Sequence, residues 1–199
     1  MTQPPVARVG VPRPTLQRSS WPRDLLNSLF FILAALVLSE LALPRSSIDG
    51  PSMEPTLFTG QHLLISRVAY LLGDPQRGDI AVFDPPNAAK EMLIKRVIGI
   101  PGDTVELRRI AADGQGISDS ALYVNGELVD EPYFVNRPCI GSNCAGSWTL
   151  GADEYLMMGD NRNHSNDSRN PSVGLIPRDH IVGKAIWRHW PLSLFGPVE

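Results

Sequence analysis

Met92-Leu-Ile-Lys-Arg-Val-Ile-Gly-Ile100 runs directly into Pro101-Gly102-Asp103. An apolar, β-branched run closed by a strong turn signal reads as a β-strand. Alternation puts Leu93, Lys95 and Val97 on one face and Ile94, Arg96 and Ile98 on the other. Two adjacent cations at the centre of such a strand are unusual. An edge strand would let them reach solvent, and for Arg96 alone that is the reading. Lys95 has apolar neighbours on its own face, which favours desolvation. A free lysine, pKa ~10.4, is neutral in about one molecule in 2,500 at pH 7. A downward shift of about 3 units, at ~1.36 kcal/mol each, makes it a usable base, and burial produces such shifts.

Strand signals continue on both sides. Upstream, Asp79-Ile-Ala-Val-Phe83 is a short apolar run behind the turn Arg77-Gly78. Downstream, Thr104 to Ile110 alternates, with Val105, Leu107 and Arg109 on one face. Leu122-Tyr-Val124, Asn125-Gly126 and Glu127-Leu-Val129 read as a two-residue hairpin, because Asn-Gly suits the positive φ angles of a type I′ turn. Glu154 to Met158 and Ile181 to Trp190 are further strands, and Ala111 to Ser120 is a Gly/Asp/Ser loop. Helix signals are weak, the best being Pro55 to Arg67. The expectation is a mainly β, antiparallel domain of several small sheets.

The chain has 199 residues with 43% hydrophobic and 20% charged, so it is not a disordered polymer. Its 17 glycines and 18 prolines suit a turn-rich β domain. A net charge of -3 leaves no basic footprint for nucleic acid, and two cysteines are too few for a disulfide scaffold. A mean hydropathy of -0.07 rules out a polytopic membrane protein but allows one span.

That average conceals a division. Residues 1–24 carry four arginines, one acid and five prolines without hydrophobic periodicity, and read as a disordered basic tail. Leu25 to Leu43 is apolar without a polar face and ends at Pro44. As a helix of 19 residues it spans about 28 Å, close to the ~30 Å hydrocarbon thickness. Glu40 is costly in lipid but sits near the end, where it can reach the interface. A buried core helix and a cleaved signal peptide compete with this reading. The all-round apolar run opposes the first, and Leu41-Ala42-Leu43-Pro44 is a poor cleavage site for the second. An uncleaved, single-pass anchor in the cell membrane is favoured. The preceding arginines would stay cytoplasmic, which places residues 45–199, of net charge -5, outside the cytoplasm.

Two more segments carry chemistry. In Asp49-Gly-Pro-Ser-Met-Glu-Pro-Thr-Leu57, Ser52 lies between Pro51 and Met53 with Pro55 close behind, and has little backbone freedom. A nucleophile needs that fixity, and so do many structural turns. Gly159-Asp-Asn-Arg-Asn-His-Ser-Asn-Asp-Ser-Arg169 is dense in hydrogen-bonding side chains. A surface Asx-rich loop or a calcium loop would share that composition, but no Glu closes it at the EF-hand position and two arginines lie inside it.

Together these segments resemble type I signal peptidases, the membrane-bound Ser/Lys proteases. The match runs through Pro51 to Leu57, Arg77 to Ile80, Lys95 to Asp103, Gly159 to Arg169 and Val182-Gly183-Lys184-Ala185, in that order, behind an apolar anchor. It covers about residues 25–190. The resemblance implies Ser52 as nucleophile and Lys95 as general base. Serine is a weak nucleophile until a base takes its proton, and a neutral amine can do that. It implies that Ser165 orients the lysine, and that Asp167 with Arg169 and Asp160 with Arg96 are supporting ion pairs. Some members carry a serine two residues before the nucleophile that helps hold the oxyanion. Gly50 stands there, so the oxyanion must rely on backbone N–H groups, those of Ser52 and Gly50, or on a water. The substrate would lie extended beside strands flanking the nucleophile. Ile48, Met53, Leu57, Leu93 and Ile94 align with positions lining shallow pockets for small residues, although core packing would explain them as well.

The implied function is removal of N-terminal signal peptides from exported preproteins by a serine endopeptidase. It needs no cofactor, and its partners are signal peptides and the lipid bilayer. A monomer is expected. His62, His164, His180 and His189 lack ligand spacing, so no metal site is expected. Cys139 and Cys144 are expected to form a disulfide outside the cytoplasm. Trp187, Trp190, Leu192, Leu194 and Phe195 suit either a core or a membrane-facing patch. Competing functions are a specialised peptidase maturing one client such as a pilin, a self-cleaving repressor, and a membrane-tethered β binding module. Residues 1–24 hold no DNA-binding helix pair, and intact Ser52 and Lys95 oppose a dead site.

Overall fold

The computed structural model describes residues 21–87, 91–110, 119–133, 139 and 144–198. Most of the expected basic tail and residues 111–118 of the expected loop lie outside these. A long helix, α1 (Trp21–Ala42), starts four residues before the expected Leu25 and stops before Pro44, which cannot continue it. Its 22 residues reach about 33 Å at ~1.5 Å each. Its apolar side chains are exposed in every direction.

The rest of the chain forms an antiparallel β unit. Its strands are β1 (Arg45–Ser47), β2 (His62–Ser66), β3 (Ile80–Phe83), β4 (Leu93–Gly99), β5 (Thr104–Ile110) and β6 (Asp119–Val124). Then follow β7 (Glu127–Leu128), β8 (Gly146–Thr149), β9 (Glu154–Met158), β10 (Ile176–Pro177), β11 (Ile181–Trp190) and β12 (Gly196–Pro197). An eight-stranded sheet takes the order β1-β2-β11-β3-β4-β9-β10, with β12 also on β11. A four-stranded sheet takes the order β7-β6-β5-β8. The expected set of small sheets is therefore replaced by one large and one small sheet. The physical reason is β11, whose 10 residues reach β2, β3 and β12 and join segments far apart in sequence.

The β6–β7 hairpin turns at Asn125 (φ 54°) and Gly126 (φ 85°), the positive pair a type I′ turn requires. Three apolar clusters hold the domain. One packs Phe83, Val97, Met157 and Ile176; another packs Met53, Leu57, Leu63 and Ile65. The third packs Ile98, Leu107, Leu122 and Leu156, joining small sheet to large.

One expectation changes. Pro55 to Arg67 is not a helix: residues 51–56 turn, and His62–Ser66 is a strand. Leu63 and Ile65 bury on one face while His62 is exposed, and that period-two burial outweighs a weak helical preference. A single short helix, α2 (Val68–Leu71), follows. Arg96, which its strand read alone would make an edge cation, is buried in keeping with the ion pair the resemblance implies. Its strand lies between β3 and β9.

Candidate active site

β4 carries Lys95 into the domain interior with 3% of its surface exposed. The turn after Ile48 brings Ser52 to it. Lys95 Nζ lies 2.8 Å from Ser52 Oγ and donates to the Ile94 carbonyl at 2.9 Å. Burial lowers the Lys95 pKa from 10.5 to about 8, while the negative charges of Asp167 and Asp160 oppose that shift. At that value roughly a tenth of the amine is neutral at pH 7.

Five sequence segments converge through buried polar contacts. Arg96 donates from Nε and Nη2 to the two Asp160 carboxylate oxygens at 2.9 and 2.8 Å. Its third contact is the Gly78 carbonyl at 2.9 Å, and its guanidinium stacks 4.0 Å over the Tyr133 ring. Thr56 Oγ1 donates to Asp160 Oδ2 at 2.6 Å. Asp79 accepts from Lys184 Nζ at 2.5 Å and from Tyr70 OH at 3.1 Å. Asp103 accepts from Arg77, Asn125 and the Ile100 N–H.

The loop from Gly159 to Arg169 closes over Ser52. Asp167 receives Arg169 Nε and Nη2, each at 2.8 Å, and the Gly159 N–H at 2.9 Å. Burial pushes its pKa up, but these donors prevail and hold it below the usual carboxylate range. Asn161 N–H donates to the Ser52 carbonyl at 3.0 Å, and its Nδ2 donates to the Pro51 carbonyl at 3.0 Å. Arg162 donates to the Gly159 carbonyl at 3.1 Å and forms a buried ion pair with Glu131.

Both expected ion pairs are therefore present, Asp160 with Arg96 and Asp167 with Arg169. Ser165 is placed differently. Its hydroxyl is buried close enough to Asp167 to favour the charged carboxylate, yet makes no well-formed hydrogen bond, and Lys95 turns to Ile94 instead. A cleft of about 230 Å³ beside the pair is lined by Ser46, Asp49, Gly50, Ser52, Leu93 and Ile94, among others. Of the expected pocket residues, Leu93 and Ile94 border this cleft. Ile48, Met53 and Leu57 are buried in the apolar cluster behind it. Neither the Ser52 N–H nor the Gly50 N–H has a hydrogen-bond partner among the described residues.

Cys139 and Cys144 are joined in a disulfide. Trp190, Leu192, Leu194 and Phe195 are exposed, so they do not form a core. No cluster of metal-ligating side chains occurs among the described residues. Sequence reading missed Thr56, Glu131, Tyr133, Asn161 and Arg162 as contributors. Thr56, Asn161 and Arg162 lay inside quoted motifs. Glu131 and Tyr133 carried no local signal, since their partners lie 31 and 37 positions away.

Comparison with known proteins gives consistent matches. A family model described as signal peptidase, peptidase S26, matches residues 23–190. A probable signal peptidase I-2 of Synechocystis is 36% identical over 170 residues, covering 83% of this chain and 71% of that one. Signal peptidase I of Pseudomonas aeruginosa is 35% identical over 213 residues, covering 83% and 72%. Signal peptidase IB of Staphylococcus aureus is 32% identical over 192 residues, covering 87% and 93%.

Proposed function

This chain belongs to the signal peptidase, peptidase S26, family, and we propose that Ser52 and Lys95 are its reacting pair. It is a serine endopeptidase that removes signal peptides from preproteins. One observation carries the residue assignment: a desolvated amine 2.8 Å from a serine hydroxyl, both lining a cleft.

Neutral Lys95 takes the Ser52 hydroxyl proton as Oγ adds to the scissile carbonyl. The oxyanion meets the unpartnered N–H groups of Ser52 and Gly50. Collapse breaks the C–N bond, and the Lys95 ammonium returns its proton to the leaving amine. Lys95 then deprotonates a water that adds to the acyl ester, and as the ester C–O bond breaks the Lys95 ammonium returns that proton to Ser52 Oγ, releasing the acid and restoring the neutral amine. Asp160, Arg96, Asp167 and Arg169 hold the surrounding backbone. Ser165, on the loop that carries Asp160 and Asp167, lies beside the Asp167 carboxylate.

The substrate enters as an added strand. β9 pairs with β4 only from Arg96 onward, so Leu93 to Lys95 keep a backbone edge free of β9 beside the cleft. Leu93 and Ile94 supply shallow apolar walls suited to small side chains, with Ile48, Met53 and Leu57 behind them.

α1 is long and apolar enough to cross a bilayer. We assign residues 1–24 as a cytoplasmic tail, 25–43 as the anchor and 45–199 as the extracytoplasmic peptidase domain of a monomer. The arginines before the helix support that orientation. Exposed Trp190, Leu192, Leu194 and Phe195 suit contact with the lipid interface.

Ser52→Ala and Lys95→Ala, assayed separately on a preprotein with an Ala-x-Ala site, are each expected to abolish cleavage. Retention of most activity by either variant overturns the pair. Gly10→Cys is expected to react only with a membrane-permeant reagent when label is applied from outside the cell; labelling by an impermeant one reverses the orientation.

A further inference from the structure

Asn161 contacts the backbone on both sides of Ser52. Its own N–H donates to the Ser52 carbonyl at 3.0 Å. Its side-chain Nδ2 donates to the Pro51 carbonyl, also at 3.0 Å. The Pro51 carbonyl receives a second donor, the Glu54 N–H at 3.1 Å.

The Pro51 carbonyl and the Ser52 N–H belong to one planar peptide unit. In a trans peptide they point in opposite directions. Two donors on the carbonyl therefore determine where the N–H aims. They also polarise the unit, making that N–H a stronger donor. The Ser52 N–H itself has no partner among the described residues, and Ser52 borders the open cleft. The missing hydroxyl at Gly50 makes this donor the more important one.

We propose that Asn161 is a positioning residue for the oxyanion hole: through the Pro51 carbonyl it aims and polarises the Ser52 N–H at the developing negative charge. The inference rests on Ser52 being the nucleophile. Loss of an oxyanion donor costs ~10²–10³ in rate, so a donor misaimed rather than removed should cost about 10–100-fold.

The test uses the full-length protein in detergent with a fluorogenic signal-site peptide, and a peptide aldehyde of the same sequence. The aldehyde adds Ser52 Oγ and presents an oxyanion, whereas the peptide binds without one. Asn161→Asp keeps the size and the backbone N–H but cannot donate when ionised. It is expected to lower kcat about 10–100-fold, weaken the aldehyde in proportion, and leave KM within about twofold. The pH midpoint set by Lys95 should stay in place in the uncharged Asn161→Ala and Asn161→Gln variants, whereas the new carboxylate of Asn161→Asp should move it upward. Asn161→Gln, which retains a donor, should recover part of the loss suffered by Asn161→Ala; should the Asp variant not fold, this comparison carries the test. Unchanged kcat, unchanged aldehyde affinity, or Gln and Ala variants equally impaired would overturn the proposal. Ser52→Ala is run alongside: if it keeps activity, the nucleophile assignment fails, and if it is inactive while Asn161→Asp is unimpaired, only the role of Asn161 fails.

Discussion

Gly159 stands so close to Ser52 that a Cβ on it would lie 2.4 Å from the Ser52 carbonyl oxygen. The same atom would lie 2.3 Å from Ser165 Oγ. Neither neighbour can yield freely. The Ser52 carbonyl is held by the Asn161 N–H, and the loop carrying Ser165 is tied down by Asp167. Gly159 is thus a point where the Gly159–Arg169 loop and the Ser52 backbone touch with no room for a side chain.

Gly159→Ala must displace one of them. Because an ångström of misplacement at a reacting group costs about 10²-fold, cleavage by Gly159→Ala is expected to fall at least that far. Circular dichroism should show the β domain still folded. A variant cleaving within threefold of the parent would show that the contact relaxes harmlessly.

The rate should rise with pH. In the proposed mechanism Lys95 acts in its neutral form, and its pKa is lowered to about 8 by burial. kcat/KM is therefore expected to climb about tenfold per unit below that value and level off above it. His164 is exposed and donates no proton in this scheme, so His164→Ala should leave the midpoint in place. A midpoint near ~6.5 that vanishes in His164→Ala would assign the base to histidine instead.

The same burial should cost stability. The folded pKa of Lys95 is below its unfolded value of ~10.4. Between those two values the unfolded chain binds more protons, so stability rises with pH across that window. Below it the full cost remains. Lys95→Met removes the charge and keeps the volume. It should abolish cleavage and raise stability at pH 7 by roughly 1–3 kcal/mol, with the gain shrinking as pH rises from about 8 and largely gone above ~10.4. Denaturant midpoints at pH 7 and pH 10.5 measure this. An equal gain at both would trace it to packing rather than charge.

Asp167 behaves oppositely. Its folded pKa is depressed, so its contribution is present above the unfolded value of ~3.9 and is lost as pH falls through the lower folded value. Asp167→Asn leaves Arg169 buried without its carboxylate, which should cost about 3–5 kcal/mol at neutral pH. The gap between parent and variant should narrow in acid. Equilibrium unfolding at pH 7 and pH 3 checks it, and a gap that stays constant would deny the carboxylate's charge any part.

The strands nearest the site were legible because their periodicity is local. β5, β9 and β11 match the expected spans, and the Asn125-Gly126 turn follows from backbone sterics alone. β2 was misread because Leu63 and Ile65 alternate over too few residues to outweigh a helical preference until a core is present to bury them. For Arg96 the strand alone suggested a solvent-reaching edge cation, and the family resemblance supplied the Asp160 pair that the structure contains. A cation in a strand looks solvent-bound until Asp160, 64 positions later, is brought against it.

What the sequence by itself determined is the chemistry available and its order along the chain: an apolar helix, a constrained serine, a lysine inside an apolar strand, and a loop dense in carboxylates and guanidiniums. Those follow from side-chain type and short-range backbone preference. Only the tertiary structure decided which groups meet. The 2.8 Å approach of Lys95 to Ser52, the burial that lowers the lysine's pKa and the grip of Asn161 on the peptides flanking Ser52 all depend on long-range strand pairing and loop closure. Desolvation and hydrogen-bond direction are properties of three-dimensional surroundings, and no spacing along the chain contains them.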